Sequence, residues 1–186
     1  MNNYGEKSSF YVFTGGPGSG KTTTLLALQK HGYDHVPEVA RKIIREQMDR
    51  NGDALPWKNR QKYRDLMLDR SVDSYLSARQ HHEEKPLFFD RGIPDTLAYS
   101  ILEDIPASEK LETDVNTYRY HSKVFIFPPW EEIYRTDGER KQDFEEALKT
   151  YEVMTETYAR LNYKPVVLPK TNVEERVKFI LKHLNL

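Results

Sequence analysis

One segment constrains this chain more than any other: Gly15-Gly16-Pro17-Gly18-Ser19-Gly20-Lys21-Thr22. It satisfies G-x-x-x-x-G-K-[S/T] at every fixed position. The apolar run Phe10-Tyr11-Val12-Phe13 lies just before it, and a helical period from Lys21 to His31 follows. The motif therefore sits where a strand turns into a helix. Glycines let backbone N–H groups converge on an anion, and the helix start adds the positive end of its dipole. Lys21 supplies a point charge for β- and γ-phosphates, and the Thr22 hydroxyl can ligate a Mg²⁺ that bridges them. The expected binding set is Gly15, Gly16, Pro17, Gly18, Ser19, Gly20, Lys21, Thr22 and Thr23. Its expected ligand is a nucleoside triphosphate.

The rest of the sequence alternates short β-rich runs with longer helical periods, which predicts βαβ units around a parallel sheet. The runs are Phe10–Phe13, a weak one at Asp34–Pro37, Pro86–Phe89 closing at Asp90, Lys123–Phe127 stopped by Pro128-Pro129, and Val166–Leu168. Helices are expected at Lys21–His31, Glu38–Arg50, Asn59–His82, Pro94–Leu102, Ser108–Tyr118, Gln142–Leu161 and Val173–Leu184. The third carries Leu68, Val72, Tyr75 and Arg79 on one face. The last carries Val173, Val177, Ile180, Leu181 and Leu184 at i, i+4, i+7, i+8 and i+11, a stripe suited to sealing a sheet. Thr171 or Asn172 can cap it.

Composition narrows the classes. The 186 residues suit one domain, 1–186, with 1–9 expected to be flexible. Lys plus Arg number 28 and Asp plus Glu 29, so the chain lacks the basic excess of a general nucleic-acid binder. No cysteine is present, which excludes a disulfide framework, a Cys-based zinc site and a Cys nucleophile. No apolar run is long enough to span a bilayer. The first residues lack the charged and apolar regions of a signal peptide, and the expected compartment is the cytoplasm.

With these residues in view, the chain resembles P-loop NTPases. The segments Pro37-Glu38-Val39-Ala40-Arg41 and Phe89-Asp90-Arg91-Gly92 are similar to one branch of them. That branch is the AAA-type family of small ATPases and kinases, which includes the ribosylnicotinamide kinase domain of the NadR regulator. The resemblance covers about Phe10 to Leu184. It implies a three-layer α/β/α sandwich around a five-stranded parallel sheet in the order 2-3-1-4-5, with ligands outside the strand carboxyl ends.

The resemblance also implies roles. Asp90, at the end of an apolar run, matches the carboxylate that serves Mg²⁺; a plain strand-end Asp capping the next helix is the blander reading. Arg91 matches an arginine that steadies substrate or phosphate. Glu38 matches an acidic residue that accepts the acceptor's hydroxyl proton, although a glutamate that merely favours a helix dipole would sit there too. Arg41, one turn on, can pair with Glu38 or touch substrate. Arg135 and Arg140 flank a charged turn where kinases of this shape carry a mobile lid, and such arginines neutralise charge on the transferred group. Apart from the resemblance, Tyr99 lies near the Asp90-Arg91 crevice and could stack on a substrate ring, with core packing the plainer role, and Trp57 and Trp130 lie near loop positions where they could cover the crevice.

Other P-loop classes fit poorly. No Asn-Lys-x-Asp guanine reader exists, and Asp49-Arg50-Asn51-Gly52 ends a helix rather than a strand. The expected activity is an ATP- and Mg²⁺-dependent transfer of the γ-phosphoryl to a hydroxyl of a small acceptor, with GTP left open as donor. A nucleotide-dependent switch acting through a protein partner is the alternative.

Overall fold

The computed structural model describes residues 9–82, 85–133 and 144–184. Residues 1–8, Arg135 and Arg140 lie outside the described residues. In chain order the elements are β1 (Phe10–Gly15), α1 (Lys21–Lys30), β2 (His35–Val36), α2 (Val39–Asp49), α3 (Arg60–His81) and β3 (Leu87–Asp90). Then come α4 (Ile93–Leu102), α5 (Glu109–Thr117), β4 (Lys123–Phe127), α6 (Phe144–Arg160), β5 (Lys164–Val167) and α7 (Val173–His183). The strands form one five-stranded sheet in the order β2-β3-β1-β4-β5, every pairing parallel.

Strand side chains alternate between the two faces of a sheet, and the sequence supplies apolar groups for both. Phe10, Val12, Leu87, Phe89, Val124 and Ile126 face one side, where Leu68, Val72 and Tyr75 of α3, Ile93 of α4, Val115 of α5 and Tyr158 of α6 cover them. Tyr11, Phe13, Phe88, Phe125 and Phe127 face the other, against Leu25 and Leu28 of α1 and Val177 and Ile180 of α7. This is the expected α/β/α sandwich. The α7 stripe seals the sheet as expected, and Asn172 is the cap: its side chain accepts the Glu175 amide at 3.0 Å. A third cluster joins Ile43 and Ile44 of α2 to Leu55, Tyr63 and Met67, off the edge of the sheet.

On the α3 face Leu68, Val72 and Tyr75 are buried, and Arg79 is partly buried. One boundary departs from the sequence reading. β5 starts two residues early, at Lys164 instead of Val166, because the ladder with β4 pairs Lys123 with Lys164 and Val124 with Pro165. Backbone pairing, not hydropathy, sets the start of that edge strand.

The chain leaves β1 for the β2–β3 side, then passes over β1 to reach β4 and β5. That change of direction opens a crevice outside the carboxyl end of β1, the usual ligand position in such sheets.

Candidate active site

The loop after β1 is shaped by two glycines. Gly15 has φ 129°, and a Cβ there would collide with the Phe127 carbonyl at the end of β4. Gly20 starts α1 at φ 88°, and a Cβ there would stand 2.6 Å from the Arg176 guanidinium. Only glycine meets both demands without strain. Between them, Ser19 donates its hydroxyl to the Gly16 carbonyl at 2.8 Å. Lys21 is buried, and its Nζ donates to the carbonyls of Gly15 at 3.1 Å and Gly16 at 2.9 Å. The ammonium is thus folded back onto its own loop. Helix α1 has no side-chain cap and no acidic residue in its first turn. A helix start without a capping side chain or a first-turn carboxylate suits an anion.

Arg176 of α7 supports this loop from behind. Only 2% exposed, it donates through Nη1 to the Ser19 carbonyl at 2.9 Å and through Nε to the Pro169 carbonyl at 3.1 Å. Its guanidinium carbon lies 5.1 Å from the Trp130 ring centre and 5.5 Å from that of Phe127. Burial pulls its pKa below the usual arginine value. A charged residue beside the apolar stripe of α7 was the only signal of it in the sequence. Pro17 to Thr23, Glu38, Trp130 and the turn from Thr171 to Val173 enclose a cavity of about 430 Å³ in front of the loop.

Next to the loop lies a charged cluster. Asp90 ends β3 opposite Phe13 of β1. Burial pushes its carboxyl above the usual range, against the pull of the nearby Lys21 ammonium. One of its oxygens is buried with no hydrogen-bond partner. Asp90 does not cap the following helix; Asp95 does, accepting the Gly92 amide at 2.8 Å. Arg91 adopts φ 72°, a left-handed conformation costly for a side chain of its size. Its amide donates to the Phe13 carbonyl at 2.9 Å, which ties that turn to β1. Its Nε donates to Glu38 at 2.8 Å and its Nη1 to Asp95 at 3.0 Å. Burial works against the guanidinium charge, but Glu38, Asp95 and Asp90 outweigh it and hold Arg91 more firmly protonated. Glu38, 7% exposed in its side chain, also accepts from Arg41 Nε at 3.3 Å. Arg41 forms the expected ion pair and also lines the cavity in front of the loop.

Asp95, like Arg176, is a residue that sequence reasoning missed. Besides Arg91 and Gly92 it accepts from Thr14 Oγ1 at 2.5 Å and Tyr158 OH at 2.6 Å. It thereby links β1, α6 and the Arg91 turn through one buried carboxylate. It also lines a second cavity of about 320 Å³, together with Glu38, Arg91, Ile44, Trp57, Tyr63 and Tyr99. Pro17 and Glu38 line both cavities.

A family model described as an AAA domain matches residues 10–176. The chain belongs to that family. No curated protein matches it. Among solved structures, deoxyadenosine kinase from M. mycoides is similar, with a TM-score of 0.66 and 15% identity over 95% of this chain and 98% of that one. NadR protein in complex with NR gives a TM-score of 0.71 and 18% identity, over 96% of this chain and 52% of that one. Thymidylate kinase from Ehrlichia chaffeensis gives 0.60 and 16%, over 96% of this chain and 99% of that one. At such identities the likeness establishes the fold, which is that of nucleoside and nucleotide kinases. Among the described residues, no helix is long and apolar enough to cross a membrane.

Proposed function

We propose that the chain is a kinase that binds ATP at the Gly15–Thr23 loop and transfers the γ-phosphoryl to a hydroxyl of a small, nucleoside-like acceptor. The observation that carries this reading is the shared wall. The first cavity has the polyphosphate loop and the second has apolar, aromatic sides, and they meet at Pro17 and Glu38. A donor and an acceptor held there would face each other at one carboxylate, and most of the rate enhancement would come from that positioning.

In the reaction the acceptor oxygen forms a bond to the γ-phosphorus. The bond from that phosphorus to the β–γ bridging oxygen breaks, ADP departs with the electron pair, and the hydroxyl proton passes to Glu38. Arg91 and Arg41 fix Glu38 in place. Lys21 exchanges its carbonyl contacts for phosphate oxygens. Arg135 and Arg140 remain candidates for contacts to the transferred group, on their position in the chain.

Mg²⁺ fits the residues present. Asp90 offers a buried oxygen lacking a partner, and Thr22 lines the first cavity. Among the described residues no group of three or more His, Cys, Asp or Glu could hold a metal. The remaining ligands would be phosphate oxygens and water. When bound, the ion offsets negative charge on the phosphates.

The test is ADP release measured across a panel of hydroxyl-bearing metabolites. A sharp rise with one acceptor is expected. A rate indifferent to every acceptor defeats the reading.

A further inference from the structure

Glu38 is held by two arginines that line different cavities. Arg91 Nε donates to its Oε1 at 2.8 Å, and Arg41 Nε donates to its Oε2 at 3.3 Å. Arg91 lines the cavity beside Asp95, Arg41 lines the cavity in front of the loop, and Glu38 lines both. The two grips are unequal. Arg91 has a side chain 12% exposed and also holds Asp95 at 3.0 Å, so it belongs to a closed cluster. Arg41 stands in the first turn of α2 with 34% of its side chain exposed, and its bond to Glu38 is the longer one.

That placement answers an electrostatic conflict. Among the described residues that line the cavity in front of the loop, Glu38 is the one carboxylate. A triphosphate tail seated on the loop would bring its terminal phosphate toward that carboxylate, and like charges at close range repel more strongly where water is excluded. A cation between them removes the conflict. Lys21 lies on the loop side, against the Gly15 and Gly16 carbonyls, and Arg176 holds the carbonyls of Ser19 and Pro169. On the donor side of Glu38 the cation is Arg41. A guanidinium is a planar fork: while Nε stays on a carboxylate, N–H groups on Nη1 and Nη2 can meet phosphate oxygens.

We infer that Arg41 is a catalytic residue that bridges Glu38 to the terminal phosphate of the donor. This rests on the kinase reading and adds to it a phosphate contact supplied by α2. The bridge lets the proton-accepting carboxylate stand beside the anion under attack, and it offsets charge on the transferred group.

The test is calorimetric titration of the full chain, with Mg²⁺ present, by two probes: the β,γ-imido analogue of ATP, and ADP. Arg41→Met alters a partly exposed position and should keep the urea midpoint of the parent. It should bind the triphosphate analogue about tenfold more weakly than the parent does, the loss of a charge-assisted contact, while ADP binding stays near the parent value. The same loss should recur when Arg41→Met is made in Glu38→Gln, and Arg41→Lys should recover part of it. Equal losses for the two probes, or no loss in the Glu38→Gln background, would reduce Arg41 to a counter-ion of Glu38 and overturn the inference. A parent chain that binds neither probe defeats the kinase reading itself, and the inference falls with it; a parent that binds both leaves the variants to decide the role of Arg41 alone.

Discussion

The cavity in front of the phosphate-binding loop takes most of its polar wall from one unbroken stretch, Pro17 to Thr23, whereas the cavity beside Asp95 gathers Glu38, Arg91, Tyr99 and Met154 from separate helices and turns. The first is built largely from backbone, with Lys21 resting on carbonyls of its own loop. The second is built from side chains that hold one another through charge. A backbone site needs little beyond glycine at the bends and an uncapped helix start. A side-chain site needs every partner to arrive from elsewhere in the chain. Changes on the donor side should therefore remove a function and leave the fold alone. Changes around the second cavity should disturb both, because Asp95 and Arg91 line it and also tie Glu38, Thr14 and Tyr158 together.

Lys21→Ala gives the sharpest contrast. Turnover should fall about a thousandfold, since the lost charge acts on the transferring phosphoryl. The urea midpoint should stay near that of the parent protein. Unchanged turnover would remove the loop from the chemistry. Glu38→Gln should lower acceptor phosphorylation about a hundredfold with ATP affinity kept within a few-fold; equal loss of both would make Glu38 a structural or phosphate-side group.

Arg176→Met blurs the boundary between the two regions, because Arg176 is a buried side chain that serves a backbone loop. It should cost about 2 kcal/mol of stability, as charge-assisted bonds to Ser19 and Pro169 are lost. ATP affinity should weaken about tenfold with kcat little changed. A kcat effect without an affinity effect would contradict the supporting role. The smallest effect has the opposite sign. Burial raises the Asp90 pKa, so the folded protein gives up stability as pH rises from the ordinary carboxyl value through the raised one. Asp90→Asn removes that cost, and melting at pH 7.5 should rise by about 2–5 °C while activity collapses. A lower melting temperature would mean that the carboxylate is a net stabiliser.

The same contrast explains what was legible in the sequence. Strand order, the two apolar faces of β1, β3 and β4, and the α7 stripe follow from periodicity and from the family resemblance. The loop was legible because its residues are consecutive. Asp95 was not, since an aspartate three residues after Gly92 looks like a first-turn helix residue until Thr14 and Tyr158 arrive beside it. Arg176 was equally silent, because the Ser19 carbonyl that it holds lies 157 positions away. Glu38 and its pairing with Arg41 were visible, yet its pairing with Arg91 depends on where β2 and β3 end. The start of β5 escaped for a related reason: the ladder to β4 sets it, and Lys164 gives no hydropathy signal.

In the proposed reaction two ligands meet at Glu38, and a phosphoryl group passes from one to the other. The most direct measurement follows labelled γ-phosphate from ATP in a single turnover with the acceptor found by the panel. The label should appear covalently on the acceptor's hydroxyl oxygen with the wild-type chain and be absent with Lys21→Ala. Label recovered wholly as inorganic phosphate, at the same rate with and without acceptor, would contradict the account.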